Sequence, residues 1–165
     1  MAETPEIQRS FVVFRLGHED YGLPIASVGS IIRYEPATSV PRAPQAVLGV
    51  INIRGRVIPV LDLGRRFGQD PFEPGPQSRI IVAESRNGSL GIVVDSASEV
   101  VSFAESQINP VPEGILGADT ARAFTGVVER DGSLVVLLDL DEAMPRSEYV
   151  SANIAGEVEE EESDA

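Results

Sequence analysis

Few residues in this 165-residue sequence could perform acid–base or nucleophilic chemistry. Cysteine is absent, all 13 basic residues are arginines, and His18 is the single histidine. Schiff-base chemistry, thiolate chemistry and cysteine-ligated metals are therefore excluded. His18 lies in a polar turn without a second metal ligand or a serine at useful spacing, which predicts a solvent-exposed side chain. No nucleotide-binding, metalloprotease or hydrolase motif occurs, so we expect no catalytic residue, no metal and no cofactor.

Two aspartates, Asp62 and Asp139, recur at equivalent places, each directly after an apolar strand and before a leucine. A paired-carboxylate site is one interpretation. An aspartate at the end of a strand more often accepts hydrogen bonds from the backbone of the next turn or helix. The spacing therefore favours capping.

The charge of the chain is negative overall but unevenly distributed. The net charge is −13, whereas residues 42–79 contain six arginines and only three acids. An acidic chain repels polyanions, so a nucleic-acid-binding β-barrel that uses these arginines is only a remote alternative. Arginine binds carboxylates in a planar, two-pronged manner and is enriched at protein interfaces, which favours a positive docking patch. Internal ion pairs with the acidic second half are the other interpretation.

The chain ends in an acidic run, Glu157–Ala165, that carries six acids and no aromatic residue. Such a composition is typical of a disordered tail, and it favours added solubility and self-repulsion over the alternative, a specific binding function. The expected organisation is a flexible N-terminus over 1–8, a folded region over 9–147 and an acidic C-terminal tail over 148–165.

Short apolar runs separated by glycine and proline predict a mostly β protein. Helices are expected to be minor: one turn at 64–67, one near 119–124, and a short helix after Leu140 capped by Asp141. No secretory signal or membrane-spanning run is visible, which predicts a soluble cytoplasmic protein. The ten candidate strands are 10–16, 20–27, 30–34, 47–53, 56–62, 79–84, 90–95, 98–103, 125–130 and 133–139.

The sequence contains an internal repeat. Residues 49–63 align without gaps onto residues 126–140. Five strands in each half, with a repeat too long for a solenoid, predict two small packed barrels.

The two copies of the repeat differ at the apex of a hairpin, which is Arg54-Gly55 in the first copy and Asp131-Gly132 in the second. Asp-Gly is common turn chemistry whereas arginine gains little there, so a function is expected at Arg54, the alternative being an exposed arginine that the turn tolerates.

The segment Val40–Leu63 resembles the signature of the CheW family, the coupling proteins of bacterial chemotaxis. That signature typically reads V-P-x-x-P, then G-V-x-N-x-R-G, then V-I-P-V-x-D-L, and the resemblance extends over about residues 9–147. The matching residues are Val40, Pro41, Pro44, Gly49, Val50, Asn52, Arg54, Gly55, Val57, Ile58, Pro59, Val60, Asp62 and Leu63.

The resemblance implies two packed five-stranded SH3-like barrels, between which hairpins may be exchanged. It also implies a non-enzymatic scaffold that couples methyl-accepting chemotaxis receptors to the histidine kinase CheA. An alternative is a coupling protein of a chemosensory-like pathway with another output, such as surface or twitching motility. The protein would be a monomer when free, cytoplasmic, and associated with receptor arrays at the membrane without inserting into it.

In this family the receptor tip, a helical hairpin, lies in an apolar groove between the barrels, and the regulatory domain of the kinase contacts the barrel ends. Carried over by motif, the receptor-binding candidates are Val28, Gly49, Asn52, Arg54 and Gly55. The kinase-binding candidates are Ile32, Arg33, Val57 and Pro59.

Two departures from the family pattern bear on the receptor side. Members often have a glutamate two residues after the position of Val28, where it could pair with the motif arginine, and this chain has Ser30. An aromatic residue is common where this chain has Ala46. We therefore expect Arg54 to have another acceptor or to remain available to a receptor carboxylate, and we expect a smaller apolar contact at Ala46.

Overall fold

A computed structural model describes residues 6–112 and 122–143, which form ten strands and two short α-helices. All ten predicted strands are confirmed, with ends that differ by no more than three residues. The strands are β1 (Gln8–Leu16), β2 (Glu19–Pro24), β3 (Val28–Arg33), β4 (Val47–Ile53), β5 (Arg56–Leu61), β6 (Arg79–Ser85), β7 (Gly88–Val94), β8 (Ser96–Ala104), β9 (Phe124–Arg130) and β10 (Ser133–Leu138). The helices are α1 (Leu63–Arg66) and α2 (Leu140–Ala143).

The strands form two five-stranded sheets, which confirms the predicted pair of barrels. The order in one sheet is β8-β1-β2-β10-β9, here called the terminal barrel, and in the other β3-β6-β7-β5-β4, called the central barrel. Each barrel combines strands of both repeats, because the first hairpin of each copy pairs with the other copy. Parallel ladders between β2 and β10 and between β5 and β7, and antiparallel ladders between β1 and β8 and between β3 and β6, make these joins.

The hydrophobic core has three parts: the interior of each barrel and the interface between the barrels. Along β6, Ile80 and Val82 face the interior of the central barrel, whereas Ile81 and Ala83 face the interface. Alternate residues of a strand point to opposite faces, so a strand buried on both faces is apolar throughout. This explains the continuous apolar run at the start of β6.

The capping interpretation of the two aspartates is confirmed. Asp62 is buried; its Oδ1 accepts a hydrogen bond from the Arg65 amide at 3.2 Å and its Oδ2 one from the Phe72 amide at 2.8 Å. Asp139 Oδ1 accepts from the Asp141 amide at 2.9 Å ahead of α2. The prediction that Asp141 caps this helix was wrong, because Asp139 takes that place and Asp141 binds outside the helix.

We predict that Asp62→Ala lowers the free energy of unfolding by about 2 kcal/mol, because two backbone N–H groups lose their acceptor in a buried place. Asp139→Ala removes the acceptor of one N–H in a less buried place, so about half of this loss is expected. Urea unfolding of both variants measures the difference. Equal losses would contradict the greater role assigned to Asp62.

Parts of two predictions lie outside the described residues. They are the turn expected near 119–124, of which Phe124 begins β9, and the acidic C-terminal tail expected over 148–165. The first residues of the expected flexible N-terminus lie outside as well, while β1 begins at Gln8. Over the described ranges, no helix is long and apolar enough to cross a membrane.

Candidate protein-docking site

The turn between β4 and β5 holds Arg54 in a left-handed backbone conformation. Arg54 and Gly55 have φ angles of 52° and 83°, nearly the same as the 52° and 82° of Asp131 and Gly132 in the second copy. Positive φ at both central residues is the type I′ geometry that suits a two-residue hairpin. For arginine this conformation costs about 1 kcal/mol relative to glycine. The Asn52 side chain helps to close the turn, since its Oδ1 accepts a hydrogen bond from the Gly55 amide at 2.9 Å.

Two neighbouring arginines of this turn have different surroundings. Arg54 is exposed, and within residues 6–112 and 122–143 its guanidinium makes no described hydrogen bond or ion pair. Arg56 instead donates from Nη2 to Ser89 Oγ at 2.9 Å, and that hydroxyl donates to Glu84 Oε2 at 2.6 Å. Arg56 is therefore held at the end of the central barrel, whereas Arg54 is available to a partner.

The basic segment does not form the single patch expected from the sequence. Val47 lies opposite Leu61, so β4 and β5 place their turn at one end of the central barrel and α1 at the other. Strands of this length separate the two ends by about 20 Å. Arg54 and Arg56 thus lie at one end, and the arginines of α1 lie at the other. Arg79, opposite Val94, is also at that end, and the division removes the continuous basic stripe that a nucleic-acid surface would use.

Three receptor-binding candidates lie together, namely Asn52, Arg54 and Gly55 in the β4–β5 turn. Val28 is half-buried, packs against the interface core and lies opposite Ala83, at the same end of the central barrel as the turn. Gly49 is buried near the other end of β4, where a Cβ atom would lie 2.1 Å from the Thr38 carbonyl oxygen. Gly49 therefore lies apart from the other four.

The four kinase-binding candidates form two separate pairs. Ile32 and Arg33 are on β3, where Ile32 packs against the interior of the central barrel and Arg33 lies opposite Arg79. Val57 and Pro59 are on β5, half-buried and buried respectively. In the order of the sheet β6 and β7 lie between these two strands.

The carboxylate missing at position 30 has a counterpart on the neighbouring strand. Ser30 is exposed on β3 opposite Val82 of β6, and Glu84 lies two residues further along β6, where a Cβ atom built on Gly29 would be 3.4 Å from Glu84 Oε1. Glu84 accepts a hydrogen bond from the Ser89 hydroxyl, which itself accepts one from Arg56. Arg54 therefore receives no replacement partner from this glutamate. The other departure, Ala46, is half-buried and its carbonyl accepts from the Asp62 amide at 2.8 Å.

An exposed apolar surface at the boundary between the barrels was missed by sequence reasoning. A short 3₁₀ turn, Ile25–Ser27, contacts β1 of the terminal barrel and β6 of the central barrel. Ile25 is 47% exposed and Ile31 on β3 is 44% exposed. Val100, on the edge strand β8 of the terminal barrel, is 54% exposed. Ile31 and Ile32 are adjacent apolar residues on an edge strand, where polar and apolar residues are expected to alternate. This pair is the one sequence signal that could have indicated the surface.

His18 is exposed, as predicted, and lies at an open cavity of about 830 Å³ with several carboxylates. Here the β1–β2 hairpin is bound to the loop after α1. Gln69 Nε2 donates to Glu19 Oε2 at 3.1 Å, and the Tyr21 hydroxyl donates to the same carboxylate. Burial raises the pKa of the Tyr21 phenol well above its ordinary value, and the Glu19 hydrogen bond adds to this shift, so Tyr21 stays a protonated donor. This network joins the two barrels structurally.

Comparisons with known proteins agree on one family. Residues 10–148 match the CheW-like domain family. The chain is 35% identical over 145 residues to "Chemotaxis protein CheW" of Rhizobium meliloti (strain 1021), covering 87% of this chain and 92% of the relative. It is 31% identical over 151 residues to "Chemotaxis protein CheW" of Bacillus subtilis (strain 168), covering 90% and 96%. Among solved structures, the scaffolding protein TtCheW from Thermoanaerobacter tengcongensis superposes with a TM-score of 0.76 at 32% identity, covering 88% of this chain and 93% of that one.

Proposed function

Because the chain belongs to the CheW-like domain family, we propose that it is a chemotaxis scaffold that couples receptor tips to the histidine kinase CheA. The relatives are chemotaxis proteins and the solved relative is a scaffolding protein. A scaffold needs surfaces for two partners and no reacting groups. We therefore assign no catalytic role to any residue of this chain.

The observation that carries this proposal is the Arg54 turn. An arginine is held in a left-handed turn, exposed and without a described partner, where the second repeat has an aspartate. A receptor carboxylate would supply that partner through a charge-assisted hydrogen bond. The apolar surface of Ile25 and Ile31 lies at the boundary of the two barrels, where a helix could place its apolar face.

Kinase binding is proposed for two pairs of residues, Ile32 with Arg33 on β3 and Val57 with Pro59 on β5, of which only Pro59 is buried. These two pairs are separate surfaces, so the kinase would use one of them or contact the chain twice. With its receptors, the protein would lie in arrays at the membrane, attached through its partners.

The test is a co-sedimentation assay with receptor-containing membranes and purified kinase. We expect the kinase to sediment with the membranes much more in the presence of this chain than in its absence, because the chain binds both partners at once. Arg54→Ala should lower this kinase co-sedimentation, whereas its matched control Arg65→Ala, at the opposite end of the central barrel, should act as wild type.

Kinase sedimentation that is independent of the chain would contradict the coupling function. The same holds if the chain sediments with neither partner alone. Separate binding of the chain to each partner, without ternary assembly, would contradict the coupling while leaving the two docking surfaces in place.

A further inference from the structure

We propose that the acidic segment Glu157–Ala165 binds within the same molecule at the Arg54 turn and competes there with the acidic partner. The contact itself is independent of the identity of the partner, whereas the competition rests on the proposed function. The class of ligand is a carboxylate-rich peptide supplied by the chain itself.

The first observation is the place where the described chain ends. Asp141 of α2 accepts a hydrogen bond from the Arg86 amide at 2.8 Å, and its carboxylate pairs with the Arg86 guanidinium at 3.2 Å. Arg86 is in the turn of the β6–β7 hairpin of the central barrel. The last described residues of the terminal barrel are therefore bound to a hairpin turn of the central barrel.

The second observation is that this hairpin turn is a neighbour of the Arg54 turn. Strands β5 and β7 are parallel, with Val60 opposite Gly91. Continued back along both strands, this register puts Arg56 level with Asn87, one residue from Arg86. Adjacent strands are about 4.8 Å apart. Arg54, Arg56 and Arg86 thus lie on adjacent hairpin turns at the end of the barrel from which the chain departs.

The charge of the segment and the length of chain before it also favour this contact. The segment carries six acids, and the guanidinium of Arg54 has no described partner, while the Arg86 side chain is 75% exposed. Residues 144–156 connect α2 to the segment, and 13 residues span at most about 45 Å. This reach exceeds the distance across two or three strands. Because the segment and the arginines belong to one chain, their contact is intramolecular, which favours even weak carboxylate–arginine contacts.

The contact can be measured without any receptor. Because the chain has no cysteine, a Ser163→Cys variant takes a single nitroxide label and keeps all six acids. We expect loss of the amide NMR signals of Arg54, Gly55 and Asn87 at about 20 mM salt, and their recovery at about 500 mM, where charges are screened within a few ångströms. Arg54→Asp should restore the Gly55 and Asn87 signals at low salt, whereas Arg65→Gln should not.

Three results would overturn the contact. One is the absence of signal loss at low salt. Another is loss centred on Arg65 and Arg79 at the opposite end of the barrel. The third is loss in a mixture of labelled chain with separate isotope-enriched chain, since that would assign the segment to a second molecule.

The competition is tested with receptor-tip binding of the full chain. A variant with its five glutamates changed to glutamine and Asp164→Asn should bind about two- to fivefold more tightly at low salt, because the competent fraction of the site rises. Equal affinities would overturn the competition. Failure of the wild-type chain to bind receptor at all would contradict the proposed function instead, and the nitroxide result would still decide the contact.

Discussion

Replacing Arg54 is expected to abolish most receptor binding without unfolding the protein. Arg54→Ala should raise the dissociation constant for receptor tips by about 10- to 100-fold, because one charge-assisted hydrogen bond contributes about 1.5–3 kcal/mol. Arg54→Asp should weaken binding more, by about 100-fold or more, since it places a carboxylate against a carboxylate. Titration of a receptor-tip fragment with each variant measures the effect.

Arg54→Asp also separates binding from folding. The second repeat already has Asp131 with the same φ of 52° before a glycine at 82°, so the turn itself accepts aspartate. Its free energy of unfolding should equal that of wild type or exceed it by a few tenths of a kcal/mol, because aspartate tolerates this conformation better than arginine. Arg65→Ala is the control for general loss of positive charge. Wild-type receptor affinity in Arg54→Asp would contradict the role of Arg54, and an equal loss in Arg65→Ala would assign binding to net charge rather than to this turn.

The strands and the Arg54 turn could be predicted because their causes are local. Short apolar runs separated by glycine and proline mark the strands, and the internal alignment of residues 49–63 with 126–140 marks the duplication. The same alignment exposed the exchange of aspartate for arginine at position 54. The structure adds the left-handed φ and the Asn52 hydrogen bond that closes the turn.

The assignment of hairpins to barrels has a cause that is not local. The repeat indicates five strands in each copy, but the parallel pairing of Tyr21 with Val136 decides which hairpin enters which sheet. That pairing joins residues more than one hundred positions apart, and no turn chemistry specifies it. Only packing of both barrels around the interface core selects it.

The basic segment failed as a single patch for a related reason. Arg54 and Arg65 are close in sequence, yet β5 between them is extended and carries the chain across the barrel. Conversely, Arg86 and Asp141 are distant in sequence and form an ion pair. Counting charge along the sequence therefore identified the arginine-rich segment, but it did not show which arginines share a surface.

Gly49 connects the fold with the docking site, because it permits the closure of the barrel that carries Arg54. Thr38 and Val50 exchange two backbone hydrogen bonds, of 2.8 and 2.9 Å, across this point. The second repeat has the same arrangement, in which Asn109 and Val127 exchange bonds of 2.9 and 2.8 Å beside Gly126. The identical glycine in both copies thus marks a place where two backbones meet.

Gly49→Ala is expected to lower the free energy of unfolding by about 3–5 kcal/mol, the range of severe packing defects. The new Cβ would lie 2.1 Å from the Thr38 carbonyl oxygen, and the φ of 154° is rare for residues with side chains. Backbone cannot move aside without breaking the Thr38–Val50 bonds, so the loop and β4 must separate. Urea unfolding monitored by far-UV circular dichroism measures the loss.

Two other glycines provide a graded control for Gly49. Gly126→Ala would meet a side-chain carbon of Ile108 at 2.6 Å and the Asn109 carbonyl oxygen at 3.2 Å, so a loss of about 1–3 kcal/mol is expected as the side chain shifts. Gly55→Ala meets nothing within 4 Å, and only its φ of 83° costs about 1 kcal/mol. The expected loss of unfolding free energy therefore decreases from Gly49 to Gly126 to Gly55, according to which atoms each new Cβ would contact. Wild-type stability of Gly49→Ala together with lost receptor binding would reverse this assignment and make Gly49 a docking residue, because the barrel would then close without it.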